Sequence, residues 1–404
     1  MNGAPADSGA RAFGSPEYAA PPAGRPRRAN ATFTVLVSVA MVLGAAVMAL
    51  VLLSSGAPRA LAIGLVLAAL PVGPLVATFV WLDRYEPEPA TLLATAFGWG
   101  ALVATAIALL LQAVDQFAFD STATVATAVV APVTEEAAKG AFVVLLLVAR
   151  RHELDGILDG IVYAGLVGVG FAFTENILYL AAAYMGTSGG DGAGGIEAAT
   201  GTFIVRGLFS PFAHPLFTAA TGIGVGVAVV TRSRTWRVLG PVLGYCAAVL
   251  GHALWNGSAF LAGGQLFVLT YVFAMVPAFG VLAGFAIWVR YREGQLLSRA
   301  LGDLAARGLI PVDEVPWLVR LAGRRAARRS ARQRGGPAAA RVMADYQQTA
   351  IELGFLHDRV LRDRAPSSAV ARGQALVNRL SGLRPYALFP QLSAGRHVDW
   401  EGGR

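Results

Sequence analysis

Long apolar blocks are the feature that most limits what this chain can fold into. Each block runs for about 20 residues or more, the length that a helix needs to cross the hydrocarbon core of a bilayer. Only 14% of the 404 residues are charged, whereas a soluble domain carries roughly one quarter. We therefore predict an all-α fold, a polytopic membrane helical bundle of about eight transmembrane helices with a cytoplasmic helical tail. The predicted spans lie near residues 32–54, 60–82, 91–114, 123–149, 157–183, 205–230, 238–262 and 266–290.

The spans divide the chain into three predicted parts. Residues 1–31, rich in Gly, Ala and Pro, form a disordered cytoplasmic arm, and residues 32–291 form the transmembrane domain. Residues 292–404 form a basic helical cytoplasmic tail with breaks near Pro311, Gly335–Pro337 and Pro366. The dense arginine run of residues 320–334 predicts a solvated helical face next to anionic lipid. Nucleic-acid binding is not favoured, because no aromatic residues interleave with the run.

Arginines in the short loops predict the orientation of the helices. Alternate loops carry Arg84, the pair Arg150 and Arg151, and further arginines near residues 232–237 and 290–292. The loop of residues 186–201, on the opposite side, has no basic residue. Positive charge marks the cytoplasmic side. The sequence therefore predicts a multi-pass protein of the cell (plasma) membrane with both termini in the cytoplasm.

Ionisable side chains inside four of the spans predict a functional site, because such residues are costly in lipid. Measured from the outer ends of their spans, Glu135 lies roughly 18 Å deep, Glu175 roughly 12 Å, His214 roughly 14 Å and His252 roughly 15 Å. Four groups from four helices thus share one layer of the bilayer. The polar residues of this layer are Glu135, Glu136, Lys139, Glu175, Asn176, His214, Thr218, His252 and Asn256.

These residue types suit two mechanisms. Two histidines and a carboxylate can hold Zn²⁺ with an open position for water, and a further glutamate then acts as general base. Without a metal, a glutamate and a histidine polarise water while His and Asn donate to the oxyanion. Both mechanisms hydrolyse an amide. Lys139 is the single lysine of the chain, and we predict that it pairs with Glu135 or Glu136, because an unpaired buried ammonium is unstable.

Several short motifs together resemble the PrsW family of bacterial intramembrane proteases, a relative of the CAAX prenyl endopeptidases. The resemblance covers roughly residues 35–290 and implies a metalloendopeptidase that cleaves a membrane-embedded substrate, typically an anti-sigma factor. Residues 32–291 are then a protease domain. The motifs are Glu135-Glu136-x-x-Lys139, Phe171-x-x-x-Glu175-Asn176, the helices of His214 and His252, the loop of residues 83–89, and Asp159-Gly160.

The predicted roles follow from the residues and the resemblance together. We assign catalysis to Glu135, Glu136, His214 and His252, and support to Lys139, Glu175 and Asn256. Glu175, His214 and His252 are the predicted metal ligands, with Zn²⁺ as the expected ion and a metal-free mechanism kept open. The expected partners are a membrane protein substrate and the lipid bilayer. The alternative functions are a proton-coupled membrane transporter and a non-catalytic membrane scaffold.

Overall fold

Helices form all the secondary structure in the part of the chain that the computed structural model describes. That part comprises residues 28–151, 153–187, 194–260, 265–362 and 369–390. The predicted N-terminal arm falls almost entirely outside it, as does the predicted break at Pro366. The all-α prediction is confirmed.

Eight long helices correspond one to one with the eight predicted spans. They are α1 (Arg28–Ser54), α2 (Pro58–Leu82), α3 (Ala90–Ala118), α4 (residues 123–149), α5 (Ile157–Met185), α6 (Gly195–Val230), α7 (Arg234–Phe260) and α8 (Gln265–Ala306). Seven of these described helices are long and apolar enough to cross a membrane. The remaining one, α4, carries Glu135, Glu136 and Lys139, and these charges lower its hydropathy.

Helix α5 is the central element of the bundle. In its most apolar stretch 89% of the residues are buried, compared with 6% for α8 at the periphery. Glycines let neighbouring backbones approach α5 closely. A Cβ added to Gly100 of α3 would lie 1.9 Å from the carbonyl oxygen of Val167, and one added to Gly168 would lie 2.7 Å from the backbone nitrogen of Pro215. Small residues at such crossings are typical of helix packing in membranes.

Helix α6 is interrupted just before His214. Its first part ends in a π-helical segment, Ile204–Phe209, and regular helix resumes at Ala213–Val230. The prolines at 211 and 215 explain the interruption, since proline lacks the N–H that a helix interior needs. The helix also begins earlier than predicted, at Gly195 instead of residue 205.

The tail is folded against itself and against the membrane helices. Its helices are α9 (Val315–Val319), α10 (Leu321–Leu361) and α11 (Ala369–Leu383), and they share a hydrophobic core with the end of α8. The chain leaves α8 before Pro311, and α10 has non-helical backbone at Gly335 and Gly336, so both predicted breaks in the described tail are confirmed. Helix α8 runs through position 292, so the predicted boundary there lies inside one continuous helix.

The arginine run is only partly solvated, contrary to the prediction. Arg324 is buried, and its guanidinium donates to the carbonyl oxygens of Leu318, Arg84 and Tyr85. A second arginine, Arg359, forms an ion pair with Asp155. The tail therefore contacts two of the loops that join the membrane helices.

Candidate active site

Helix α4 supplies three charged side chains to one buried cluster. The ammonium of Lys139 has no solvent exposure and lies 3.2 Å from Glu135 Oε2 and 2.8 Å from Glu136 Oε1. The spacings i,i+4 and i,i+3 place both carboxylates on the lysine's side of the helix. The predicted pairing of Lys139 is confirmed, and it involves both glutamates. The same ammonium lies 3.7 Å from the centre of the Phe171 ring.

Glu136 is completely enclosed by hydrogen-bond donors. Its Oε1 accepts from Lys139 and from Nδ1 of His252 at 3.0 Å, and its Oε2 accepts from the Thr218 hydroxyl at 3.0 Å. A buried carboxylate with three donors is held in one position as an anion. Glu136 therefore fixes the positions of side chains from α6 and α7.

Glu135 is the less enclosed carboxylate of the pair. It is 4% exposed where Glu136 is 0% exposed. Besides Lys139, it accepts a hydrogen bond from Gln112 of α3 at 3.2 Å, and Nε2 of His252 lies 3.8 Å from its Oε2. Glu135 thus keeps an oxygen facing the two-histidine side of the cluster without a short bond to either ring.

Both histidines have a carboxylate that orients the ring. Because a carboxylate oxygen only accepts, Nδ1 of His252 donates to Glu136, which leaves its Nε2 lone pair towards Glu135. In the same way Nε2 of His214 donates to Glu175 at 2.8 Å, which leaves Nδ1 facing Lys139 at 3.1 Å. The two ring centres are 5.2 Å apart.

Glu135, His214 and His252 form a set that could hold a metal ion. Each offers one donor atom, and these atoms lie within 4.8 Å of one another. Two imidazoles and a carboxylate are a common zinc set, and a carboxylate on the far nitrogen of each ring is the usual outer-shell partner. With both rings neutral, the carboxylates of Glu135, Glu136 and Glu175 outnumber the cations by one. The charge balance therefore fits a bound cation, and a cation on Nδ1 of His214 would have to displace the Lys139 ammonium, which contacts that atom at 3.1 Å.

Glu175, predicted as a metal ligand, has other partners. Its Oε2 forms an ion pair with Arg206 and accepts from His214. Arg206 also donates to the amide oxygen of Asn176 at 2.7 Å and packs over the Tyr179 ring. The structure thus brings Glu135 together with the two histidines as a possible ligand set, and Glu175 contacts His214 directly.

The side chain of Asn256 bonds to the backbone of α4. Its amide donates to the backbone carbonyl of Thr127 at 3.1 Å and so links α7 to α4. The sequence predicted that Asn256 lies one turn from His252 on the same helix face, and both residues do lie on α7. The hydrogen bond to Thr127 involves backbone that no side-chain pattern could reveal.

Three polar residues of the cluster received little or no weight from the sequence: Gln112, Arg206 and Thr218. Gln112 and Arg206 are single polar residues in apolar segments, and their depth in the membrane was the signal that could have found them. Thr218 follows His214 by four residues, so it shares its helix face, but a threonine in a membrane helix more often bonds its own backbone.

Comparison with known proteins identifies relatives of the membrane part. The model of the family described as "PrsW family intramembrane metalloprotease" matches residues 88–282. "Protease PrsW" of Geobacillus kaustophilus (strain HTA426) is 32% identical over 154 residues, which are 38% of this chain and 61% of that protein. "Protease PrsW" of Oceanobacillus iheyensis is 30% identical over 180 residues, which are 44% of this chain and 75% of that protein. No solved structure matches the chain at the same level of significance.

Proposed function

Because the chain belongs to the PrsW family of intramembrane metalloproteases, we propose that it hydrolyses a peptide bond of a membrane-embedded protein at the Glu135 cluster. The observation that carries the proposal is a buried network around Glu135. Lys139 contacts both Glu135 and Glu136, and His252 lies between the same two carboxylates. A proton-coupled transporter and a non-catalytic scaffold are not favoured by the family. The matched segment spans 61% of one relative and 75% of another. We therefore infer the activity from the geometry of the site and not from the relatives' names.

Glu135, His214 and His252 would hold the metal, and Zn²⁺ is the ion that their donor set fits. When bound, such an ion acidifies water and polarises the scissile carbonyl. Glu175 and Glu136 would keep the two rings oriented, because each accepts from the ring nitrogen that faces away from the set.

The two glutamates have different roles in this proposal. In the metal mechanism Glu135 is a ligand. In the metal-free mechanism Glu135 would face the reacting water and take its proton, since it is the carboxylate with fewer donors around it. Glu136 is a positioning residue whose hydrogen bonds fix Lys139, His252 and Thr218. Lys139 offsets the carboxylate charge and, being close to Glu135, would help to stabilise the oxyanion that develops on the substrate carbonyl.

Cleavage and metal content of purified variants test this assignment. We expect Glu135→Gln to lower cleavage of a single-span membrane substrate by roughly 10²-fold or more and to lower the bound metal per chain. Glu197→Gln is the control, because it makes the same substitution at an exposed position in the first turn of α6. Normal cleavage by the Glu135 variant would refute the proposal, and full wild-type activity after exhaustive chelation would favour the metal-free mechanism.

The natural substrate that we propose is a single-span protein of the anti-sigma-factor type, as the family resemblance implies. A membrane protease acts on substrates in the bilayer, and the buried position of the cluster fits a bond within or near a transmembrane segment. The roles of the arm, the protease domain and the tail as separate parts remain predictions.

Both termini are proposed to face the cytoplasm, following the arginine bias of the loops. Reporter fusions test this orientation. A reporter inserted between α5 and α6 should give the outer-side signal, and one fused after α11 should give the cytoplasmic signal. Equal signals from the two positions would contradict the eight-span topology.

A further inference from the structure

A cleft between α1 and α3 lies at the membrane boundary, apart from the Glu135 cluster. It has a volume of about 540 Å³, within the range of roughly 300–1,000 Å³ for small-molecule sites. Helix α1 enters the membrane near Thr34, α3 begins at Ala90, and α4 ends at Ala149. Three helix ends therefore meet at the mouth of the cleft, at the level of lipid headgroups.

Arg150 marks that mouth. It follows the last residue of α4, donates through Nη2 to the Thr34 hydroxyl at 3.2 Å, and packs over the Phe33 ring at 5.0 Å from its centre. Its Nε is buried and has no hydrogen-bond partner among the described residues. A buried guanidinium donor without an acceptor is costly, so a rotation of the side chain that brings Nε to an anionic oxygen at the mouth would be favourable.

The walls of the cleft combine hydroxyl and apolar side chains. Thr34, Ser38, Thr91 and Thr95 supply the hydroxyls, and Phe33, Val37, Met41 and Leu92 supply the apolar surface. On α1 the distance from Thr34 to Met41 is seven residues, which is roughly 10 Å along the helix. A single arginine at one end of a wall whose apolar side chains extend to Met41 matches a molecule with an anionic head and a hydrocarbon chain.

We propose that this cleft binds one anionic phospholipid, with its phosphate on Arg150 and an acyl chain along Val37 and Met41. Arginine suits this role because its planar donors match phosphate oxygens, and basic pockets between membrane helices are known to take anionic headgroups. The site is separate from the proposed hydrolytic function, so either can fail without the other.

Native mass spectrometry of the full chain in detergent tests the lipid site. Phosphatidylglycerol and phosphatidylcholine serve as probes, and the number of lipids retained after delipidation is counted. We expect one phosphatidylglycerol to be retained in preference to phosphatidylcholine. Arg150→Gln should weaken this binding roughly tenfold, the loss expected for one charge-assisted hydrogen bond.

Arg151→Gln is the matched control, because Arg151 is the adjacent arginine, is exposed and does not line the cleft. It should leave retention unchanged. Ser38→Leu fills the cleft without altering charge and should also release the lipid. Free glycerol 3-phosphate should not displace it, because the acyl chain contributes to binding. Equal retention of both lipids, equal losses in the two arginine variants, or displacement by glycerol 3-phosphate would each overturn the proposal.

Discussion

At the scale of single residues, Glu136 is held by donors from three helices: Lys139 of α4, Thr218 of α6 and His252 of α7. Each donor fixes its own helix relative to the carboxylate. Removing one of them leaves a buried acceptor with one bond fewer, which costs about 1–3 kcal/mol.

Thr218→Val tests this cost. Valine keeps the shape of threonine but removes the donor to Glu136, so we expect the free energy of unfolding in detergent to fall by about 1–3 kcal/mol. Thr221→Val is the matched control one turn further along α6. The Thr221 hydroxyl is buried and has no hydrogen-bond partner in the described part of the chain, so that variant should be as stable as the parent or more stable. Equal losses in both variants would show that the bond to Glu136 is not the cause.

The sequence predicted the ionisable members of the cluster better than their partners. Glu135, Glu136, Lys139, His214 and His252 stood out because their side chains are costly in lipid, and all five are buried together. The pairing of Glu175 with Arg206 could not be foreseen. Arg206 reaches Glu175 only through the π-helical segment of α6.

At the scale of whole helices, close backbone contacts hold α5 between its neighbours. Gly100 of α3 approaches the Val167 carbonyl so closely that a methyl group could fit only if the two helices moved apart. Gly284 of α8 has nothing within 4 Å of an added Cβ. The two glycines therefore differ in packing although both lie in apolar helices.

Gly100→Ala should lower the free energy of unfolding by about 1–3 kcal/mol, the usual cost of overpacking a core. Gly284→Ala should leave it unchanged or raise it by up to about 1 kcal/mol, because alanine is the better helix former. Unfolding of both variants in mixed micelles measures the difference. A stable Gly100 variant would mean that α3 and α5 are not in close contact.

Helix positions were predictable to within a few residues because the apolar length of a span is set by the bilayer. The two prolines of α6 predicted its interruption. The early start of the helix was not predicted, because residues 195–204 are small and polar enough to resemble a loop. In the tail, the breaks followed from Pro and Gly, whereas the burial of Arg324 depends on carbonyl oxygens of the loop after α2, which a linear pattern cannot reveal.

At the scale of the whole molecule, the tail and the membrane bundle meet at that loop, residues 83–89, where Asp83 is buried and Glu88 is partly buried. Burial raises the pKa of Asp83 to about 8 and that of Glu88 to about 10, with the nearby Asp159 carboxylate adding to both shifts. A carboxyl with a raised folded-state pKa binds its proton more tightly in the folded state. Stability then falls as pH rises from the unfolded value near 4 towards the folded value.

We therefore expect the midpoint of thermal unfolding in detergent to decrease between pH 5 and pH 9. Asp83→Asn should reduce the slope of the unfolding midpoint against pH, because an amide has no proton to lose. The amide oxygen can still accept from the Glu88 backbone N–H, which lies 2.9 Å from the carboxylate in the parent protein. Asp313→Asn, at an exposed position in the tail, is the control and should keep the parent slope. A midpoint that rises with pH would contradict the assignment.

Lys139 gives the molecule an unusual chemical property. No other residue of the 404 carries a side-chain amine, and this one is sealed between two carboxylates, an imidazole and an aromatic ring. Reductive methylation with isotopically labelled formaldehyde can therefore place a single internal NMR probe in the middle of the bilayer. Because the reagent reaches that nitrogen only when the helices separate, the labelling rate measures how often the bundle opens.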